Sequence, residues 1–289
     1  MKNLKHFLTT KDFLKTGRSF DIVKNLKTGI LETHPRPSLD ELPQYYESEN
    51  YISHNQNSSG FLAFCYRRIR SISTKRKINI CLNTIESLKS KTKVRVLDVG
   101  CGTGHFLVKC REKGWSVKGI ENNVNAINSS PKELAQDIVK NFKALKPLTE
   151  KFDIITMWHS LEHLHMLESV IIDMKKLLTY NGTILVACPN HRSFDAGFYK
   201  ENWAAYDLPR HLWHFDKTSI KNLFLNYKLE LTKALPMYWD SFYISILSEK
   251  IINKNPSYFK GVLVGLISNL RALSSKEYSS LIYVFKNKT

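Results

Sequence analysis

Val96-Leu97-Asp98-Val99-Gly100-Cys101-Gly102-Thr103-Gly104-His105-Phe106-Leu107 decides the fold. An apolar strand ends near a carboxylate, turns through three glycines and enters a helix. Glycines at such a place permit a tight turn and let a ligand lie against main-chain N–H groups at the helix start. The spacing is G-x-G-x-G, with His105 standing where the G-x-G-x-x-G of dinucleotide sites would continue, and this disfavours NAD. Asp98 puts a charge near the carboxyl end of a strand built for burial, so it needs a cationic or donor partner. A ligand ammonium group would supply one. A second strand ends at Glu121 in Lys118-Gly-Ile-Glu-Asn-Asn, roughly 20 residues past the turn, where doubly wound nucleotide folds hold an acid against ribose hydroxyls.

Outward from this turn the chain alternates short apolar runs with helix-length segments. The runs begin at Val94, Ser116, Phe152 and Gly182, and a last one covers Ser279-Ser-Leu-Ile-Tyr-Val-Phe-Lys. Such alternation predicts an α/β fold with a doubly wound, Rossmann-like, mostly parallel sheet. Three parts are expected: an irregular arm over 1–45, broken by Pro35 and Pro37; a helical lead-in over 46–90; and a sheet domain over 91–289. Insertions at 191–216 and 236–276 interrupt that domain, the second reading as two helices.

With 289 residues, 43% apolar and 24% charged, the chain can bury a sizeable core, which excludes disorder and fibre. Lys and Arg outnumber Asp and Glu by 43 to 26, a formal charge of +17. Nucleic acid, an anionic membrane face, or an AT-rich genome favouring Lys and Asn codons would each account for it. The lysines are spread rather than clustered, which favours the third. Five cysteines form no C-x-x-C pair, so no disulfide framework or zinc knuckle is expected, and a reducing compartment fits. No apolar run reaches the length of a signal peptide or a membrane span. The reading is cytoplasmic.

The strand, Asp98 and the glycine turn resemble motif I of the class I S-adenosylmethionine-dependent methyltransferases, over about residues 93–232 plus the final strand. The resemblance implies S-adenosylmethionine as cofactor and an antiparallel last strand. It places Gly100, Gly102 and Gly104 along the methionine part, Asp98 near the amino group and Glu121 on the ribose. Trp158 joins this cofactor set, and Asp137 or Asn141 stands where the adenine contact belongs. Phe152-Asp-Ile-Ile-Thr-Met-Trp-His-Ser-Leu-Glu-His-Leu is similar to the subgroup of ubiquinone-biosynthesis O-methyltransferases. Residues 20–30 look like a zinc-ribbon arm with Asn25 and Thr28 in place of cysteines, so no metal could hold it.

Methyl transfer needs alignment above all, and a base only for some acceptors. His159, at the end of the fourth strand, is the first candidate base, and His211 is the second. The segment Asn202-Trp203-Ala-Ala-Tyr206-Asp207-Leu208-Pro209-Arg210-His211-Leu-Trp213-His214-Phe215 concentrates aromatic and ionisable groups, as a substrate loop would. There Trp203 and Tyr206 are candidate walls, Arg210 a candidate anion anchor and His214 a further substrate contact. The spacing of His159, His163, His211 and His214 would suit paired metal ligands, yet histidines of this kind more often serve hydrogen bonding, and no metal is expected. The expected enzyme is therefore a methyltransferase acting on a small-molecule, lipid-linked or glycan acceptor, at oxygen. An RNA methyltransferase and a non-catalytic cofactor-binding protein are the rivals. The helices of the second insertion would cap the site or touch a membrane peripherally; oligomeric state is not legible.

Overall fold

The computed structural model describes residues 3–46, 61–84, 94–145, 150–253 and 255–288, with the backbone alone for 61–71. The chain begins with β1 (Leu4–Lys11), β2 (Ser19–Asn25) and β3 (Leu31–His34), an antiparallel meander. The arm expected to be irregular is thus a sheet. Phe20 and Ile22 are buried on one face of β2, the period-2 pattern that a half-buried strand requires. After the short helix α1 (Leu42–Tyr46) comes helix α2 (Phe61–Thr84), within the segment read as a helical lead-in; residues 47–60 and 85–93 of that segment lie outside the described residues.

The central sheet then assembles. It comprises β4 (Arg95–Val99), β5 (Ser116–Ile120), β6 (Ile138–Val139), β7 (Phe152–Trp158) and β8 (Leu178–Pro189). The short β9 (Trp213–His214) joins the arm meander at β3 instead. Finally β10 (Leu229–Pro236) and β11 (Ser280–Asn287) close the seven-stranded sheet. Its order is β10-β11-β8-β7-β4-β5-β6. The five strands from β6 to β8 run parallel, and β11 is antiparallel to both of its neighbours. The expected mostly parallel sheet with an antiparallel last strand is what the fold shows.

Strand β7 is buried along its whole length, as a central strand covered on both faces must be. Chain order reverses on either side of β4, so the loops after β4, β5 and β7 meet above one carboxyl edge, where ligands bind in such sheets. Helix α3 (His105–Arg111) leaves the glycine turn, α4 (Val124–Asn128) follows β5, and α5 (Leu167–Leu177) links β7 to β8. Helix α6 (Phe194–Tyr199) opens the first insertion, and α7 (Lys217–Leu225) precedes β10. The second insertion is the helical hairpin α8 (Tyr238–Ile252) and α9 (Tyr258–Ser275).

Candidate active site

The glycine turn is fixed by its neighbours. Gly100, Gly102 and Gly104 have φ of 75°, 55° and 76°, left-handed values that disfavour a side chain. The Gly100 and Cys101 N–H groups donate to the Ile120 carbonyl at 2.8 and 3.1 Å, clamping the turn to the end of β5. A Cβ at Gly100 would lie 2.5 Å from Ser160 Cβ, and one at Gly104 would lie 2.8 Å from Leu134 Cδ1. Packing therefore explains those two. At Gly102 nothing among the described residues, its chain neighbours aside, lies within 4 Å of where a Cβ would stand, so this backbone faces open space. Glu121 is oriented from the same turn: its Oε2 accepts from Gly102 N–H at 2.8 Å and its Oε1 from Asn123 N–H at 2.9 Å.

Asp98 lies beneath, buried, accepting a hydrogen bond from the Thr156 hydroxyl at 2.6 Å. Burial pushes its carboxyl up to about 7, opposed by the Thr156 bond and the Lys77 ammonium. Such a group gains from a further cation. Open space over Gly102, a desolvated acid below and a backbone-held acid beside it fit a ligand that carries an ammonium group and ribose hydroxyls. Trp158 is buried edge-on against Phe106, with the Lys77 ammonium 4.5 Å from its ring centroid and its indole N–H without a partner among the described residues. Next to it opens a shallow depression whose lining includes Arg76, Lys77, Met237, Tyr238 and Asp240. Asp137 departs from the adenine reading. Its two oxygens are taken by Arg111 and by Lys118 at 3.0 Å, and Asn141 caps a helical turn through Ala144 N–H.

The histidines gather one turn beyond β7. His159, at φ 55°, pairs through Nε2 with Asp240 at 3.1 Å and through Nδ1 with Glu162 at 3.5 Å. Burial would lower its pKa, but the two acids prevail and raise it to about 9. Both ring nitrogens face acids, so the expectation of a base at His159 is corrected to an anchor for α8. Glu162 is buried, and among the described residues its carboxylate meets no hydrogen-bond donor closer than His159. His163 Nδ1 lies 3.0 Å from the Arg210 carbonyl, and His211 Nδ1 lies 2.9 Å from the Ala205 carbonyl. Carbonyls only accept, so both rings carry a proton on Nδ1, and His211 Nε2 faces the Asp207 carboxylate at 4.0 Å. Burial and the neighbouring His211 push His163 down to about 4. Glu162, His163 and His211 each bring one donor atom within 4.8 Å of the others, a cluster able to hold a metal ion.

The 202–215 segment is more buried than a substrate wall. Trp203 is 2% exposed and its indole donates to Asp195 at 2.8 Å. Tyr206 packs edge-on against Trp203 and His214. His214 is buried, 3.1 Å from the Thr33 hydroxyl. Arg210 is corrected from an anion anchor to a structural tie. Its Nε donates to Asp207 at 2.8 Å, Nη1 to the Tyr45 carbonyl at 3.0 Å, and Nη2 to Asp12 at 3.0 Å and the Leu208 carbonyl. With all three nitrogens engaged, it joins the arm to the loop. Glu162, His191, His211 and His214 line one narrow cleft. Sequence reasoning did not find Asp12, Asp195 or Asp240, which sit in no motif. The burial of Glu162 was equally hidden.

The model of the methyltransferase domain family matches residues 66–234, more than half of the chain. Solved structures similar to the chain include a SAM-dependent methyltransferase from Archaeoglobus fulgidus, 20% identical, with a TM-score of 0.48 over 79% of this chain and 100% of that one. Another is magnesium protoporphyrin IX methyltransferase from Synechocystis PCC 6803 with bound SAH, 11% identical, with a TM-score of 0.51 over 80% and 90% of the two chains. At that identity the likeness speaks to the fold. No curated protein sequence matches significantly.

Proposed function

The chain belongs to the methyltransferase domain family and is an S-adenosylmethionine-dependent methyltransferase, and on that premise we propose that it methylates a hydroxyl oxygen of a small-molecule, lipid-linked or glycan acceptor. The observation that carries the oxygen is His211, oriented through Nδ1 by the Ala205 carbonyl and gathered with the buried Glu162 carboxylate within 4.8 Å at the carboxyl edge of the sheet.

S-adenosylmethionine, when bound, supplies a methyl group already activated on sulfur. Asp98 would hold its ammonium, Glu121 its ribose hydroxyls through lone pairs left over from the backbone bonds, and Gly102 the open floor between them. Asp98 then acts as an anion, because the ligand cation offsets the desolvation that otherwise favours its proton. His211 Nε2 takes the hydroxyl proton as the acceptor oxygen attacks. Glu162 offsets the positive charge that this leaves on the imidazole. The ordered loop contributes alignment: Trp203, Tyr206 and Arg210 fix the His211 backbone rather than touching the acceptor.

RNA is the second reading, favoured by the +17 charge. Labelled methyl supplied to the full chain with a cellular extract should enter the solvent-extractable or small-molecule fraction. His211→Ala should lower that incorporation by about 10²–10⁴-fold, while calorimetric binding of S-adenosylhomocysteine stays unchanged. Label recovered chiefly in RNA, or a fully active His211→Ala protein, would overturn the proposal.

A further inference from the structure

The hairpin of α8 and α9 is built inside out. Toward the protein, α9 presents Gly261, Gly265, Ser268 and Ala272, all buried. Toward solvent it presents Phe259, Val262, Leu263, Leu266, Leu270 and Leu273, between 44% and 79% exposed. These six fall at spacings of three and four, so they form one continuous stripe. Helix α8 has the same polarity: Ser241, Ser245, Ser248 and Glu249 face inward, while Tyr238, Trp239, Tyr243 and Ile252 face out.

The polar inner face is consumed by the first insertion. Ser248 Oγ accepts from Ala204 N–H at 2.9 Å, Ser268 donates to Asp195 at 2.6 Å, and the Tyr199 hydroxyl donates to Glu249 at 3.1 Å. Close approach holds the helices in this sense, since a Cβ at Gly265 would lie 2.8 Å from Phe242 Cα. The outward face is therefore no slack surface that could rotate inward. A contiguous apolar stripe of this extent marks an interaction site.

Charge decides which partner. From residue 238 to 276 there are five basic residues and two acids, Asp240 and Glu249. The acids are withdrawn, Asp240 onto His159 and Glu249 into the interior with Lys260 at 3.0 Å. Lys250, Arg271 and Lys276 are exposed at the stripe's borders, and their contacts are aromatic rings and a backbone carbonyl rather than carboxylates. Two copies meeting on this face would bring cations together with no acid to match them. Lysine and arginine around Leu and Phe, with Tyr238, Trp239 and Tyr258 at the helix starts, suit the headgroup region of an anionic bilayer.

We propose that the α8–α9 hairpin is a docking surface for anionic lipid membranes, by which the enzyme lies on the bilayer with its acceptor opening toward it. Tyr238, Trp239 and Asp240 belong at once to the hairpin and to the depression beside Trp158, and Asp240 holds His159, whose ring also faces Glu162, so the docked face adjoins the candidate site. The acceptor half of this inference rests on the methyltransferase reading; the docking half does not.

Flotation of the full chain with vesicles of phosphatidylcholine, with and without phosphatidylglycerol, tests it, with analytical ultracentrifugation in parallel. The expected result is at least about tenfold stronger partition to anionic vesicles, weakened by salt. Leu266→Asp with Leu270→Asp should abolish it, and Lys250→Glu with Arg271→Glu should remove the anionic preference. Both substituted faces are exposed, and S-adenosylhomocysteine binding should be unchanged in each variant. Absence of vesicle binding by the wild type, equal binding to both vesicle types, or a dimer that Leu266→Asp dissociates would overturn the docking proposal. Loss of cofactor binding in the wild type would instead count against the methyltransferase site alone.

Discussion

Asp98 is a carboxyl pushed up to about 7 by burial, and that gives it two opposite pH signatures. In the free protein its burial is tolerated best when protonated. The stability it contributes is full below the ordinary aspartate value of 3.8 and is lost as pH rises through about 7. Cofactor affinity runs the other way, because the ammonium prefers the ionised form. S-adenosylhomocysteine should bind more tightly as pH rises toward 7, by up to about tenfold per unit, and level off above it. Calorimetry across that range checks this, and Asp98→Asn should flatten both dependences. His159 differs because its partners win over burial. It should titrate near 9 in an NMR experiment and fall back toward the ordinary imidazole range in Asp240→Asn.

At the level of elements, the α8–α9 contact depends on missing side chains. Gly265→Ala sets a methyl against Phe242 backbone and the Ser241 carbonyl, each under 3 Å. Backbone cannot yield as a side-chain tip can, so a loss of about 1–3 kcal/mol is expected in urea unfolding. Leu270→Ser, on the exposed side, should be close to neutral. The elements readable in the sequence were those whose signal is local: the glycine turn, the apolar runs of β4, β5, β7 and β8, and the two insertion helices. The arm was misread because prolines and alternating lysines obscure a meander whose fourth strand, β9, comes from residues 213–214. Long-range pairing of that kind leaves no mark on either segment alone. Arg210 was misread for the same reason, since Asp12 stands 198 positions away.

Across the whole molecule, the arm and the candidate site are one unit. Asp12 is fully buried, and burial would raise its pKa. The bonds from Thr16 N–H and hydroxyl, with the Arg210 guanidinium, hold it below the usual range instead. Its contribution is therefore present above 3.8 and lost as pH falls through the lowered value. Arg210→Ala strands that carboxylate in the interior and should cost about 3–5 kcal/mol, read by thermal unfolding. Because the His163 and His211 orientations hang on the same loop, turnover should fall with it while S-adenosylhomocysteine still binds.

A crystal structure of the chain grown with S-adenosylhomocysteine bears most directly on the account. The amino-acid part should cross the uncovered backbone of residue 102 with its amino group toward Asp98, and both ribose hydroxyls should meet Glu121. A ligand seated elsewhere, or a Glu121 carboxylate turned away from the sugar, would contradict it.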